Sequence, residues 1–254
     1  MKILAVLSAM CACLASIASF AAQVGPPSGP GLLTIDANYP AGIVFRLRSQ
    51  VSDTLRVLGH VPRHFTPFRE TDVGIINLWF AGMDGRYRIT RSGGVVTVVR
   101  HANGHETRQR QKVQGTAEFD AFGYPKIGPS DPTDLIPIFP GHLVWVGQSW
   151  MATAPVEETL GSGTATYLYR VKRVNLRSDG HVLAVIPFTV RGTMLPPKAL
   201  HGWHSELQGS GLLIWDCTAH QRASKRFQLT YTATHGQDAL SERIADQETV
   251  YRAQ

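Results

Sequence analysis

Cysteine is scarce in this chain, and its scarcity limits how the fold can be stabilised. Of the three cysteines, Cys11 and Cys13 lie in an apolar N-terminal segment, and Cys217 stands alone in the remainder. A single cysteine cannot form an internal disulfide, so stability must come from the packing of the core. We expect Cys217 to be a buried thiol, because free cysteine is among the most frequently buried residue types.

Complete catalytic, nucleic-acid-binding and membrane-spanning patterns are also missing. Gly147-Gln-Ser149 is followed by Trp150, so the G-x-S-x-G nucleophile motif is incomplete. No nucleic-acid recognition motif is present, and export would separate the protein from most nucleic acid. Beyond the N terminus, no run approaches the roughly 20 apolar residues of a membrane-spanning helix. The sequence therefore favours a non-enzymatic protein with no cofactor, no nucleic-acid partner and no transmembrane segment in the mature chain.

The N-terminal segment has the order of a secretory signal peptide. Met1-Lys2 carries one positive charge, an apolar run follows, and Ser19-Phe20-Ala21 ends it with small residues at the cleavage positions. Cleavage after Ala21 predicts a periplasmic or secreted protein. A membrane anchor is an alternative, and so is a lipoprotein signal with Cys11 or Cys13 acylated.

Period-two alternation after this segment predicts β-strands. Ile43–Arg48 and Arg86–Arg91 alternate apolar with charged residues, and Val95–Arg100 follows a Ser92–Gly94 turn signal. Short glycine turns between such segments are typical of antiparallel hairpins. Five prolines then fall between residues 125 and 140, which predicts a connector because proline cannot donate to a sheet ladder.

The connector divides the chain into two strand-rich halves. The predicted fold is mainly β, with antiparallel sheets in two consecutive halves that pack together. The predicted organisation is a signal peptide at 1–21, a flexible leader at 22–36, a first half at 37–124, a connector at 125–141 and a second half at 142–254. The C-terminal segment Ser241–Arg252 fits either a helix or a strand, and we favour the strand.

Short parallels between the halves suggest an internal duplication. Tyr87–Arg91 resembles Tyr169–Arg173, and Val113–Thr116 resembles Leu207–Ser210, in the same order. The alternative is chance, because β sequences use a small set of residues.

One string of turn motifs carries a family resemblance. Phe119-Asp-Ala-Phe-Gly123, the proline-rich connector and Val146-Gly-Gln-Ser-Trp150 resemble uncharacterised exported bacterial proteins with two β-rich halves. The resemblance covers residues 40 to 235, and Gln148 stands where an aspartate is more usual. It implies an envelope or secreted β protein, and it transfers no catalytic residue.

Two histidine-containing pairs form a candidate metal site. His201-Gly-Trp-His204 and Cys217-Thr-Ala-His220 supply the imidazole and thiolate ligands that zinc prefers. The segment between them is expected to be a strand, and 12 extended residues span roughly 40 Å. Only a reversal at Gly209–Gly211 would bring the pairs together, so loop histidines are the favoured interpretation.

A basic sheet face is the other candidate site. Arginine and lysine recur at alternating positions, which places them on one face of a sheet. The predicted ligand-binding residues are Arg86, Arg88, Arg100, Arg170 and Lys172. The same alternating pattern includes Arg108, Arg110, Lys112 and Arg226. Guanidinium groups bind phosphate and carboxylate, so an anionic envelope component is the expected partner. The alternative is a solvated face opposite a packed one.

These observations predict an exported, non-enzymatic cell-envelope or secreted β protein that acts as a binding or scaffold module. A periplasmic carrier of an apolar or anionic ligand is the first alternative, with Leu78, Phe80 and Ile186 among the residues expected to line an internal cavity. A metal-dependent hydrolase is the second alternative.

Overall fold

The computed structural model describes residues 31–35, 44–83, 86–120, 125–127 and 139–252. The predicted signal peptide lies outside these residues. The described residues form twelve strands: β1 Val44–Leu58, β2 Phe68–Met83, β3 Arg86–His101, β4 Glu106–Asp120, β5 Pro125–Ile127, β6 Ser149–Glu158, β7 Gly161–Arg170, β8 Arg173–Leu176, β9 Val182–Leu195, β10 His204–Asp216, β11 Gln221–His235 and β12 Asp238–Arg252.

All twelve strands belong to one antiparallel sheet. The strand order is β5-β4-β3-β2-β1-β12-β11-β10-β9-β7-β6, and β8 pairs with β9 on the edge that β7 also uses. The mainly β, antiparallel prediction is therefore confirmed. The two strand-rich regions are joined by hydrogen bonds between β1 and β12, which run in register from Phe45↔Arg252 to Leu58↔Ala239.

Alternation of side chains gives the sheet two distinct faces. In β12, Leu240 and Ile244 are buried on the inner face, whereas Arg243 is exposed on the outer face. The strand interpretation of this C-terminal segment is confirmed. One inner face therefore carries the apolar positions of the strands, and the opposite face carries most of the polar ones.

The inner face holds one contiguous hydrophobic core. Trp215, Tyr167 and Tyr231 are among its largest fully buried side chains. Leu78 and Ile186, which we expected to line a ligand cavity, are packed into this core. The apolar burial of these residues is the main stabilising contribution to the fold.

Segments outside the strands also pack against the core. Leu33 and Val144 exchange two backbone hydrogen bonds of 2.7 and 3.0 Å, and both side chains are buried. Phe139 packs its ring edge-on against Trp215, with centroids 5.1 Å apart. Residues 32–35 are thus part of the folded unit, although the sequence suggested that the flexible leader extends to residue 36.

Two local predictions need correction. Ser92–Gly94 does not form a turn but lies inside the continuous strand β3, paired with β2 and β4. Pro125–Ile127, placed in the connector, forms the short strand β5 against β4. A 3-10 turn, Lys198–Leu200, precedes β10. No helix in the described part of the chain has the length and apolarity to cross a membrane.

Candidate anion-binding site

A groove with basic walls lies on the outer face of the sheet, over β9 and β10. Its volume is about 620 Å³. Lys172 and Arg173 lie on one side, and Arg226 and Gln228 lie on the other. The remaining lining residues are Val185, Pro187, Ser210, Gly211, Leu212 and Phe227. We call this feature the basic groove.

A bulge between β7 and β8 explains why two consecutive cations face the groove. Tyr169 pairs with Phe188, and Arg173 pairs with Val185. Between these two pairs the β7–β8 segment advances by four residues and β9 by only three, so the β7–β8 segment contains one extra residue. Val171 fills the core with no exposed surface, while Lys172 and Arg173 are both exposed. The backbone N–H of Lys172 donates to the carbonyl of Val185 at 2.9 Å, which fixes the bulge against β9.

The opposite wall follows from simple alternation in β11. Lys225 points inward and is buried, so Arg226 points outward into the groove. Pro187, Leu212 and Arg226 pair directly across β9, β10 and β11, which places them on one row of the outer face. The groove therefore has an apolar floor between cationic walls.

A smaller polar depression continues from the groove. Its volume is about 280 Å³, and it shares Ser210 and Gln228 with the basic groove. Arg191 adds a further cation there, among neutral polar residues such as Thr189 and Gln208. No acidic residue is among those that line either depression.

The cations of the groove are not neutralised by any of the residues that the structure describes. Among the described residues, Lys172, Arg173 and Arg226 have no ion-pair partner. Like charges across a groove repel one another, and an anion between them removes that repulsion. Planar guanidinium groups also offer paired donors to a phosphate or carboxylate. The groove is thus suited to an anionic group with an apolar part beside it.

Two of the predicted basic residues are already paired within the β3–β4 hairpin. Arg88 contacts Glu118, with Nε donating to Oε1 at 2.9 Å, and Arg100 donates from Nε to Glu106 Oε2 at 2.7 Å. Arg86 lies on β3, opposite Asp120, and its side chain is outside the described residues. Cross-strand ion pairs of this kind reduce the charge that an external anion would meet.

The other two predicted residues lie in another region. Arg170 ends β7 as an exposed residue, and Lys172 lines the basic groove. Six strands separate β3 from β7 in the sheet order. The five residues therefore do not form one site, and Arg173, Arg191 and Arg226 complete the groove around Lys172 instead.

The structure does not bring the four candidate metal ligands together. His204 begins β10, and Cys217 follows its end at Asp216, so the pairs lie at opposite ends of a 13-residue strand. Gly209–Gly211 stays within that strand. The described residues include no group of three or more His, Cys, Asp or Glu side chains suited to holding a metal ion.

Cys217 and His220 belong to a tight turn that Asp216 organises. The Oδ1 atom of Asp216 accepts the backbone N–H groups of Thr218 and Ala219 at 3.0 and 2.9 Å. Its Oδ2 atom lies 2.6 Å from Nδ1 of His181, which is about 40% exposed. Asp216 thus ties the β10–β11 turn to the start of β9, a structural role for a carboxylate.

Sequence reasoning missed a group of carboxyl side chains on the inner face. Asp53 of β1 is directly opposite Glu70 of β2, and Asp72 and Glu242 lie on neighbouring rows. The side chains of Asp53 and Glu242 share a hydrogen bond, and Glu242 is only 1% exposed. The signal was present in β12, where Glu242, Asp246 and Glu248 occupy the same alternate, inward-facing positions as Leu240 and Ile244.

Burial and mutual repulsion favour the neutral forms of these acids. Burial raises the pKa of Glu242 to about 8, and the charges of Asp53 and Glu158 act in the same direction. Burial also raises the pKa of Asp53 and of Glu70, with further contributions from Asp72. Every charged neighbour that acts on these three carboxyls is another carboxylate.

A second inner group contains both signs of charge. Lys225 Nζ lies 3.3 Å from Asp246 and 3.2 Å from Glu248, and Arg222 contacts Glu248 at 2.9 Å. Burial still raises the pKa of Asp246 to about 7, although Lys225 opposes the shift. These buried ion pairs position β11 against β12.

Comparison with known proteins gives distant structural similarities. No family model matches the sequence, and no curated protein matches it. The chain is similar to the β domain of the Bordetella autotransporter BrkA, with a TM-score of 0.40 and 10% identity over 82% of this chain and 100% of that chain. It is also similar to an outer membrane channel from Pseudomonas putida F1, with a TM-score of 0.30 and 8% identity over 90% of this chain and 100% of that chain. Neither similarity transfers a function to this chain.

Proposed function

We propose that this chain is an exported cell-envelope protein that binds an anionic, partly apolar ligand in the basic groove. The observation that carries the proposal is the placement of Lys172 and Arg173 opposite Arg226 across an apolar floor. The N-terminal segment supports export, because its residues follow the order of a secretory signal peptide. The protein acts as a binding module in this proposal, and no catalytic step is assigned to it.

The groove selects for a ligand with two chemical parts. A phosphate or carboxylate placed between the walls would receive charge-assisted hydrogen bonds from both sides. Val185, Pro187 and Leu212 would contact an adjacent apolar part of the same ligand and remove it from water. A simple inorganic anion would gain only the first of these contributions. An anionic envelope component with hydrocarbon next to its charged group satisfies both.

Calorimetric titration with dodecyl phosphate, below its micelle-forming concentration, tests the proposal. Inorganic phosphate and dodecanol are the matched probes, since each offers only one part of the ligand. We expect dodecyl phosphate to bind more tightly than either. The variant Arg226→Gln should weaken its binding about 10- to 100-fold, because a hydrogen bond to a charged group contributes about 1.5–3 kcal/mol.

The control variant is Arg56→Gln, which removes the same charge from an exposed position of β1. Its affinity for dodecyl phosphate should stay close to that of the unmodified protein. Equal losses in Arg226→Gln and Arg56→Gln would show that only net charge matters and would refute the groove. Absence of binding in the unmodified protein would also refute it.

A further inference from the structure

The outer face of β1–β4 carries an apolar centre between two basic borders. Hydrogen-bonded partners define its rows, because residues directly opposite in adjacent strands share a face. One row runs Arg48, Ile75, Gly94 and Lys112, and the next runs Gln50, Val73, Val96 and Arg110. We call this surface the β1–β4 outer patch. Its apolar residues are Val73, Ile75, Trp79, Val96 and Val98, and its basic residues are Arg46, Arg48, Arg108, Arg110 and Lys112.

The apolar centre is open to solvent. Val73 is 44% exposed, Ile75 is 54% exposed and Trp79 is 39% exposed. The inner face of the same strands buries Leu47, Leu78 and other core residues. The patch is therefore not the core-facing side of the sheet. Contiguous exposed apolar residues of this kind mark interaction surfaces.

The two borders are separated by the width of the patch and carry one sign of charge. β1 and β4 are three strand positions apart, a distance of roughly 14 Å at the usual strand spacing. In the described rows from Thr71 to Asn77, the outer face of these four strands presents no acidic side chain. The basic residues in these rows have no ion-pair partner among the described residues.

We propose that the β1–β4 outer patch docks on the surface of a lipid bilayer that contains anionic lipids. Two cationic borders about 14 Å apart match a plane of phosphate groups better than they match a single small ligand. Ile75 and Val73 would enter the boundary between headgroups and acyl chains, and Trp79 would lie at headgroup level, where its ring and N–H find suitable surroundings.

The chemistry of the patch favours a bilayer over a protein partner. Protein interfaces depend on central, well-packed aromatic residues. Here the aromatic residue, Trp79, lies toward one end, paired with Val44 and Thr90. Flexible cations that surround short aliphatic side chains are typical of surfaces that bind anionic membranes. This surface is separate from the basic groove, so either proposal can fail without the other.

Cosedimentation with vesicles tests the docking. The probes are vesicles of phosphatidylglycerol and phosphatidylcholine in equal amounts, compared with vesicles of phosphatidylcholine alone. We expect binding to the first, with little to the second, and a decrease as salt is added. The triple variant Arg108→Gln, Arg110→Gln, Lys112→Gln should weaken binding about 100-fold, because each such cation near an anionic surface contributes about five-fold.

The matched control removes three charges from the basic groove by the changes Lys172→Gln, Arg173→Gln and Arg226→Gln. Vesicle binding of this variant should remain within a few-fold of the unmodified protein. If it falls as far as in the β4 variant, net positive charge alone governs vesicle binding, and the patch is refuted. Circular dichroism spectra of both variants establish that each is folded, which is expected because the changed side chains are exposed.

Two further variants test the apolar centre. Val73→Thr with Ile75→Thr keeps β-branched side chains in β2 and should weaken vesicle binding about ten-fold through lost apolar contact. Anionic vesicles should shift the tryptophan emission to shorter wavelength, and Trp79→Phe should remove that shift. A concentration-dependent dimer that disappears in the Val73→Thr, Ile75→Thr variant, without vesicle binding by the unmodified protein, would identify a second copy as the occupant and overturn the proposal.

Discussion

Replacement of Glu242 by glutamine should stabilise the protein most at alkaline pH. Glu242 is buried beside Asp53 and Glu158, and its pKa is raised from 4.5 to about 8. The folded protein therefore keeps a proton on Glu242 over a pH range in which the unfolded chain has lost it. The contribution of Glu242 to stability is greatest below pH 4.5 and falls as the pH rises toward 8, where the proton is lost from the folded state. Glutamine is neutral throughout and retains a hydrogen-bonding group.

The size of the effect follows from the shift in pKa. A rise from 4.5 to about 8 corresponds to a loss of at most about 5 kcal/mol of unfolding free energy across that interval. Relaxation of the surrounding carboxyls reduces this value, so we expect about 2–4 kcal/mol. Asp246 contributes a decrease of the same sign, because its pKa is also raised, to about 7. Glu242→Gln should therefore flatten the pH dependence without abolishing it.

Urea unfolding at a series of pH values measures the effect. The free energy of unfolding of Glu242→Gln should exceed that of the unmodified protein at pH 8 and approach it at acidic pH. The control is Glu206→Gln, which changes a carboxylate with a side chain that is 55% exposed and should leave the pH profile unaltered. Parallel profiles for the unmodified protein and Glu242→Gln would refute the reasoning. So would a variant that is less stable at pH 8.

Three other substitutions address separate features of the fold, each measured by urea unfolding. Lys225→Met should cost about 3–5 kcal/mol at pH 8, because Asp246 and Glu248 lose a buried cation, and the cost should shrink in acid as Asp246 becomes neutral; a cost that does not change with pH would contradict this. Gly211→Ala should cost about 1–3 kcal/mol, since an added Cβ would meet the ring of Phe188, and Phe188→Leu in the same chain should recover part of the loss. Asp216→Ala should cost about 1–3 kcal/mol because two backbone N–H groups lose their acceptor, whereas Asp179→Ala in a neighbouring exposed turn should cost less.

Alternation of apolar and polar residues was enough to predict the antiparallel β class. It identified the strand character of β10 and of the ambiguous C-terminal segment, because one residue in two must face the core of a one-sided sheet. Glycine was the main source of error. Ser92–Gly94 was predicted as a turn, yet a Cβ at Gly93 would collide with the backbone of Ile75 in the paired strand. The glycine there allows close approach of strands, and single-sequence patterns do not separate that role from a turn.

The candidate site was predicted only in part, for reasons of register. Lys172 and Arg226 both belong to the predicted basic face, but they lie more than 50 residues apart in the chain. Strand order alone determines that the two residues face each other across β9 and β10. Arg88 and Arg100 were expected to bind a ligand, and the β3–β4 register instead supplies each with a glutamate. The bulge that exposes both Lys172 and Arg173 interrupts the alternation on which the prediction depended.

The pairing of β1 with β12 joins two strands that are far apart in sequence in the middle of the described sheet. β12 occupies 15 residues near the end of the chain and bridges β1 to β11. Until those residues have been synthesised and delivered, both neighbours present unsatisfied N–H and C=O groups, which favour intermolecular strand addition. Completion of the described sheet therefore requires a pairing between segments that are far apart in sequence, and a product truncated before Asp238 would expose the unpaired edges of β1 and β11.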